Sequence, residues 1–221
     1  QQKTINEINV DLKSNQKMFR LLQGDVGSGK TIVALLAAYN VVKSGFQVAV
    51  MAPTEILARQ HYTLAKEIFD KDVKVEILSS KSASKDKKII TNKLYNHEID
   101  LVFGTHAIFQ KKIIFKKLGL IIIDEQHKFG VNQRKKLSDK GGDNCDVLLM
   151  SATPIPRTLT MTIYGDMDIS ILKEKPNLRK EVKTYSKLES KIDEILAFIT
   201  KEINNDNQIF WVCPLIEESK K

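Results

Sequence analysis

The sequence predicts an α/β fold, a mostly parallel sheet with helices on both faces. Three observations carry this. Strand-sized apolar runs alternate with helical patterns from Phe19 to Leu172. The run Leu120-Ile121-Ile122-Ile123 is apolar without alternation, as a central strand buried on both sides requires. Between the run Phe19-Arg20-Leu21-Leu22 and the helical segment Ile32 to Val42 lies Gly24-Asp25-Val26-Gly27-Ser28-Gly29-Lys30-Thr31, a glycine-rich turn joining strand to helix.

In chain order, a helix over 4–13 precedes the first strand at 19–23, and a helix over 31–43 follows the glycine-rich turn. Further strands fit near 47–52, 73–78, 101–104, 119–123, 147–151 and 168–172. Helices fit near 55–69, 86–96, 133–139 and 156–164. Ser79 to Lys88 reads as a polar, lysine-rich loop or helix start on the solvated surface. After Leu172 the pattern changes. Residues 173–180 read as an extended linker, with Pro176 barring a helix. A strand (Val182 to Tyr185), a helix (Ile192 to Ile203) and a strand (Ile209 to Cys213) follow, as if a second domain had begun at 181. Such a piece cannot bury a full core, so the chain is expected to be part of something longer.

Bulk properties narrow the classes. No apolar run reaches the length of a membrane span and no leader is visible, although Gln1 is not a native start; the expected location is a reducing cytoplasm, where the two cysteines stay free thiols. Cys145 and Cys213 both sit in apolar runs, which suits buried free thiols rather than a disulfide. The net charge of +8 is mostly a diffuse lysine excess and is weak support for a nucleic-acid partner. The scarce arginines, Arg20, Arg59, Arg134, Arg157 and Arg179, are more informative, because a guanidinium fork holds phosphate or carboxylate bidentately.

The octapeptide 24–31 fits the phosphate-loop pattern G-x-x-x-x-G-K-[ST] in the context that pattern needs. Backbone N–H groups and the helix dipole would meet an anion there. Lys30 would reach the β- and γ-phosphates of a nucleoside triphosphate, and the Thr31 hydroxyl would ligate Mg²⁺. The discriminating partner is Ile121-Ile122-Ile123-Asp124-Glu125-Gln126-His127. A carboxylate at the carboxyl tip of a buried parallel strand faces the place where such sheets hold ligands. Asp124 is therefore the candidate Mg²⁺ ligand, through water, and Glu125 the candidate to orient and deprotonate an attacking water.

Asp124-Glu125-Gln126-His127 resembles the Asp-Glu-x-His box of superfamily-two helicases and translocases, and the family's other motifs follow in order. Ala52-Pro53-Thr54-Glu55-Ile56-Leu57-Ala58 and Gly104-Thr105-His106 resemble its two strand-contacting segments; Ser151-Ala152-Thr153-Pro154 resembles the motif that couples hydrolysis to movement. Taken singly, Thr54 and Thr105 read as plain helix N-caps. The longer matches Gly104 to Gln110, Asp124 to Val131, Ala152 to Thr158 and Phe210 to Ser219 are similar to the bacterial RecG-type branch-migrating DNA helicases, with Mfd-type translocases as the nearest relatives. Gln126 and the Trp211-Val212-Cys213-Pro214-Leu215 tail favour the RecG type.

The resemblance implies a RecA-like P-loop NTPase domain over 1–172, followed by the truncated start of a second RecA-like domain. It implies ATP and Mg²⁺ as ligands, and DNA, branched or forked, as partner. Lys30, Glu125, Gln126 and His127 would be catalytic. Gln1 would read adenine, beside the phosphate loop Gly24, Asp25, Val26, Gly27, Ser28, Gly29, Lys30 and Thr31. Thr31 and Asp124 would hold the metal; Ser151, Ala152, Thr153 and Arg157 would couple; Pro53, Thr54, Arg59, Gly104, Thr105 and His106 would contact DNA. A wedge domain upstream and a transition-state arginine from the second motor domain are expected in the same protein, so residues 1–221 alone should hydrolyse ATP weakly. An Mfd-like duplex translocase or an RNA helicase is the alternative within the class. A nucleotide-dependent switch without motor activity is the alternative outside it.

Overall fold

The computed structural model describes residues 1–79, 84–110, 112–125, 145–153, 167–174 and 182–212. The chain divides into two compact units, Gln1–Asn177 and Leu178–Lys221. The first contains helix α1 (Gln2–Leu12), strand β1 (Phe19–Gly24), α2 (Lys30–Lys43), β2 (Gln47–Met51), α3 (Glu55–Phe69) and β3 (Val75–Leu78). It continues through α4 (Ser84–Asn96), β4 (Leu101–Gly104), β5 (Leu118–Ile123), β6 (Asp146–Ser151) and β7 (Asp168–Leu172). The expected strands are all present. A short 3₁₀ turn at His106–Phe109 was not legible in the apolar pattern. The helices expected at 133–139 and 156–164 lie outside the described residues.

The seven strands form one sheet in the order β3-β4-β2-β5-β6-β1-β7, and every pair is parallel. Burial explains the unbroken apolar runs. Leu120 and Ile122 face one cluster with Val33, Ala37 and Ala38 of α2 and Phe69 of α3. Ile121 and Ile123 face the other side, with Leu21 and Leu149. Side chains alternate in direction along a strand, so a strand covered on both faces must be apolar at every position. Leu94 and Ile99 help cover that second side over β4, packing on Val102. Because all strands run one way, the segments after β1, β2, β4, β5 and β6 emerge along one edge. That edge carries the phosphate loop and the other motifs.

In the second unit, α5 (Ile192–Asn204) forms close to expectation. The two strands expected around it do not. Residues 182–185 and 209–212 have no regular structure, and Phe210 and Val212 are 88% and 87% exposed. Residue 213 lies outside the description. A strand needs a lateral partner for its N–H and C=O groups, and none is present among the described residues. The same holds for packing: α5 buries no residue, although Ile192, Leu196 and Ile203 lie along it.

Candidate active site

The phosphate loop is built by local sequence. Gly27 and Gly29 have φ of 80° and 91°, in the left-handed region that favours glycine. Gly24 is excluded from carrying a side chain by crowding instead: a Cβ there would lie 2.6 Å from Ser28 Oγ and 2.9 Å from Leu172 Cβ. The Val26 N–H donates to Asp25 Oδ1 (2.8 Å) and the Ser28 N–H to the Asp25 carbonyl (3.1 Å), which closes the turn. Gly29 is the N-cap of α2, with no side-chain cap, and the first turn of α2 contains no acidic residue. The opening N–H groups of a helix lack intrahelical partners, so this end is fitted to an anion.

Two further features suit triphosphate. Ser28 Oγ is buried without a hydrogen-bond partner among the described residues, a state that costs free energy unless a ligand supplies one. Lys30 Nζ rests on the Gly24 and Asp25 carbonyls at 2.7 and 3.0 Å. Burial holds the Lys30 ammonium below its ordinary pKa, while Asp124, Glu125 and Asp25 pull it back up. Gln1, at the start of α1, donates from Nε2 to the Ser28 carbonyl (2.9 Å), and its amide fills the space above Gly29 that a Cβ would need. The glutamine expected to read adenine therefore lies against the loop.

Asp124 and Glu125 follow β5 directly. The Asp124 N–H continues the ladder to the Met51 carbonyl (2.8 Å), and its carboxylate is 8% exposed as a residue. Glu125 takes φ = 51°, a conformation a non-glycine residue adopts at some cost and one that recurs at functional sites. Thr31 and Asp124 offer hydroxyl and carboxylate oxygens, the hard donors Mg²⁺ takes, and the described residues hold no group of three or more His, Cys, Asp or Glu fit for a metal. Gln126 and His127 lie outside the described residues.

The sequence reading missed His61 of α3, whose Nε2 is 2.8 Å from Asp124 Oδ2. A signal existed: His61 falls on the inward face of α3 with Ala58 and Ala65, where a polar residue needs a reason. Gln23 was also missed. It is the next-to-last residue of β1, opposite Ser151 of β6, and donates from Nε2 to the Thr153 carbonyl (2.9 Å). Ser151 Oγ lies 3.0 Å from Thr153 Oγ1 and accepts from the Thr153 N–H. The coupling candidates Ser151, Ala152 and Thr153 are thereby tied to the strand that leads into the phosphate loop. Pro154 and Arg157 lie outside the described residues.

The segments considered for DNA contact sit side by side after β2 and β4. The Ala52 N–H donates to the Gly104 carbonyl (2.9 Å), and Gly104 abuts the Leu78 carbonyl too closely for a Cβ. Thr54, exposed, caps α3 by accepting from the Leu57 N–H, and Thr105 begins the 3₁₀ turn without a side-chain cap. Pro53 is partly exposed, and Arg59 and His106 are exposed. Arg59 lines a groove on α3 together with Glu55 and Glu67, so the charge of that face is mixed.

The model of the DEAD/DEAH box helicase family matches residues 1–162. The chain is 50% identical, over its whole length, to 32% of a Bacillus subtilis protein named ATP-dependent DNA helicase RecG. It is 51% identical to the Aquifex aeolicus protein of the same name, covering 28% of it. The chain thus spans about a third of the length of the curated relatives it matches. Among solved structures, a RecG bound to a three-way DNA junction superposes with a TM-score of 0.82 at 43% identity, over 97% of this chain and 29% of that one. A DEAD box protein from Methanococcus jannaschii, at 20% identity and a TM-score of 0.61, covers 90% of this chain and 55% of its own and shares the fold.

Proposed function

Because the chain belongs to the DEAD/DEAH box helicase family, we propose that it is the first motor domain, with the start of the second, of an ATP-dependent DNA helicase that remodels branched DNA. The observation that carries this reading is the convergence of Lys30, Asp124 and Glu125 at one sheet edge, adjoined by the segments at 52–54 and 104–106. Similarity to RecG proteins supports branched DNA as the substrate. No helix among the described residues is long and apolar enough to cross a membrane, and we place the protein in the cytoplasm.

In this mechanism the backbone of 24–31 seats the phosphates of ATP, and Lys30 moves from the Gly24 and Asp25 carbonyls onto them. Gln1, which donates to the Ser28 carbonyl, would hold the adenine side. Thr31 and Asp124 would hold Mg²⁺, which when bound neutralises developing phosphate charge. Glu125 orients the attacking water and accepts its proton. Gln126 and His127 sense the terminal phosphate. Ser151 and Thr153, joined to β1 through Gln23, relay its loss. Thr54, Gly104, Thr105 and His106 hold DNA backbone by amides and hydroxyls, with Pro53 shaping the segment and Arg59 at the margin. Domain closure that differs between ATP and ADP states moves the DNA.

The test is ATP turnover by the intact protein with forked DNA, linear duplex and RNA. Forked DNA should stimulate most. Equal stimulation by linear duplex would favour a simple translocase, RNA preference an RNA helicase, and no response to any nucleic acid a nucleotide switch.

A further inference from the structure

We infer that His61 is a positioning residue for Asp124, fixing the metal-side carboxylate from helix α3. The inference rests on the reading of Asp124 as the carboxylate that serves Mg²⁺. His61 and Asp124 are 63 residues apart in sequence, and their side chains are 12% and 11% exposed where they meet. An ionised carboxylate only accepts hydrogen bonds, so the imidazole must present N–H at Nε2. One oxygen of Asp124 is thereby engaged, and the other, without a hydrogen bond among the described residues, keeps its lone pairs for an ion or its water.

The clamp is stiff because α3 is held along its length. Thr54 caps it, Glu55 bonds to Ser79 after β3, and Ala65 and Phe69 enter the core. The Tyr62 ring packs edge-on against Phe103 of β4 at 6.4 Å. Without His61 the Asp124 side chain would keep its place on β5 but lose its fixed rotation. Mg²⁺ demands near-octahedral geometry at about 2.0–2.1 Å and tolerates such rotation poorly. Loss of an outer partner of this kind costs about 10–100-fold in metal affinity or activity. Because Thr54 caps α3, a displacement of that segment would also be felt at Asp124.

The experiment uses the intact protein and a fluorescent N-methylanthraniloyl derivative of ATP, titrated with Mg²⁺ and, separately, in EDTA. His61→Ala should raise the Mg²⁺ midpoint about ten-fold while leaving the EDTA affinity unchanged. His61→Gln, which keeps an amide N–H at similar reach, should recover most of the loss. In an Asp124→Asn background His61→Ala should add nothing, since the two residues act as one unit. An unchanged midpoint in His61→Ala overturns the inference. So does equal weakening in EDTA and Mg²⁺ that glutamine fails to rescue, because that marks a purely structural histidine. Absence of Mg²⁺-dependent binding in the wild type, or normal binding by Lys30→Ala, would instead sink the nucleotide-site reading itself.

Discussion

Two buried charged regions of the first unit treat their charges in opposite ways. At Arg20 in β1, every charge is answered. The guanidinium meets Asp11 Oδ2 at 2.6 Å and Ser170 Oγ at 2.9 Å, with Glu7 at 3.9 Å and Asp168 at 3.7 Å. Ser170 in turn donates to Glu7 Oε2. At the phosphate loop, Lys30 rests on carbonyls, Ser28 Oγ has no described partner, and Asp124 meets one imidazole. The Arg20 cluster joins α1, β1 and β7 and is complete. At the loop, by contrast, the described residues leave the Ser28 hydroxyl unpartnered and hold Lys30 on backbone carbonyls alone. A finished network stabilises; an unfinished one binds.

Lys30→Met would test the contrast most severely. ATP turnover by the intact protein should fall by about two to three orders of magnitude. Stability should not fall with it. Burial depresses the Lys30 pKa, so its charged form is a cost to the folded state at neutral pH, and that cost fades as pH rises through the folded value. Removing the amine should leave urea-unfolding stability at pH 7 unchanged within about 0.5 kcal/mol, or raise it. A large loss of stability would mean the loop is a structural network after all.

Arg20→Met should do the reverse. It strands Asp11 and Glu7 beside a buried surface and should cost about 3 kcal/mol in urea unfolding, with turnover of the folded fraction little changed. If turnover collapses while stability holds, the Arg20 cluster belongs to the active site. Ser28→Ala is a smaller probe. It deletes the orphan hydroxyl, so unfolding free energy should stay level or rise by about 1 kcal/mol, while nucleotide binds several-fold less tightly. Unchanged nucleotide affinity would show that the hydroxyl is not reserved for phosphate.

The smallest effect concerns Cys145, next to both regions' shared sheet. Its thiol is buried and free, and desolvation pushes its pKa up to about 12. At pH 8 it should stay protonated and resist alkylation under native conditions while reacting on unfolding. Rapid native labelling, followed by mass spectrometry, would mean the core beside β6 opens.

The phosphate loop was legible because its requirements are local. Positive φ at Gly27 and Gly29, a helix start at Lys30 and an apolar strand before it are all properties of neighbours in sequence. The strands of the first unit were legible for a similar reason, since burial on two faces writes unbroken apolar runs. Arg20 was noticed as a scarce fork, but its carboxylate partners were not, because they come from α1 and β7. His61 was invisible as a partner of Asp124: 63 residues separate them, and only the placement of α3 beside the end of β5 joins them.

By itself, then, the sequence determined the described strands and α-helices of the first unit and the conformation of the phosphate loop. Each depends on dihedral preference or on periodic burial, which short windows contain. Tertiary structure decided the strand order β3-β4-β2-β5-β6-β1-β7, the pairings of Gln23 with Thr153 and His61 with Asp124, and the failure of 182–185 and 209–212 to become strands. These depend on which distant backbone or side chain supplies a partner. Apolar periodicity states that a face must be covered; the fold alone says by what.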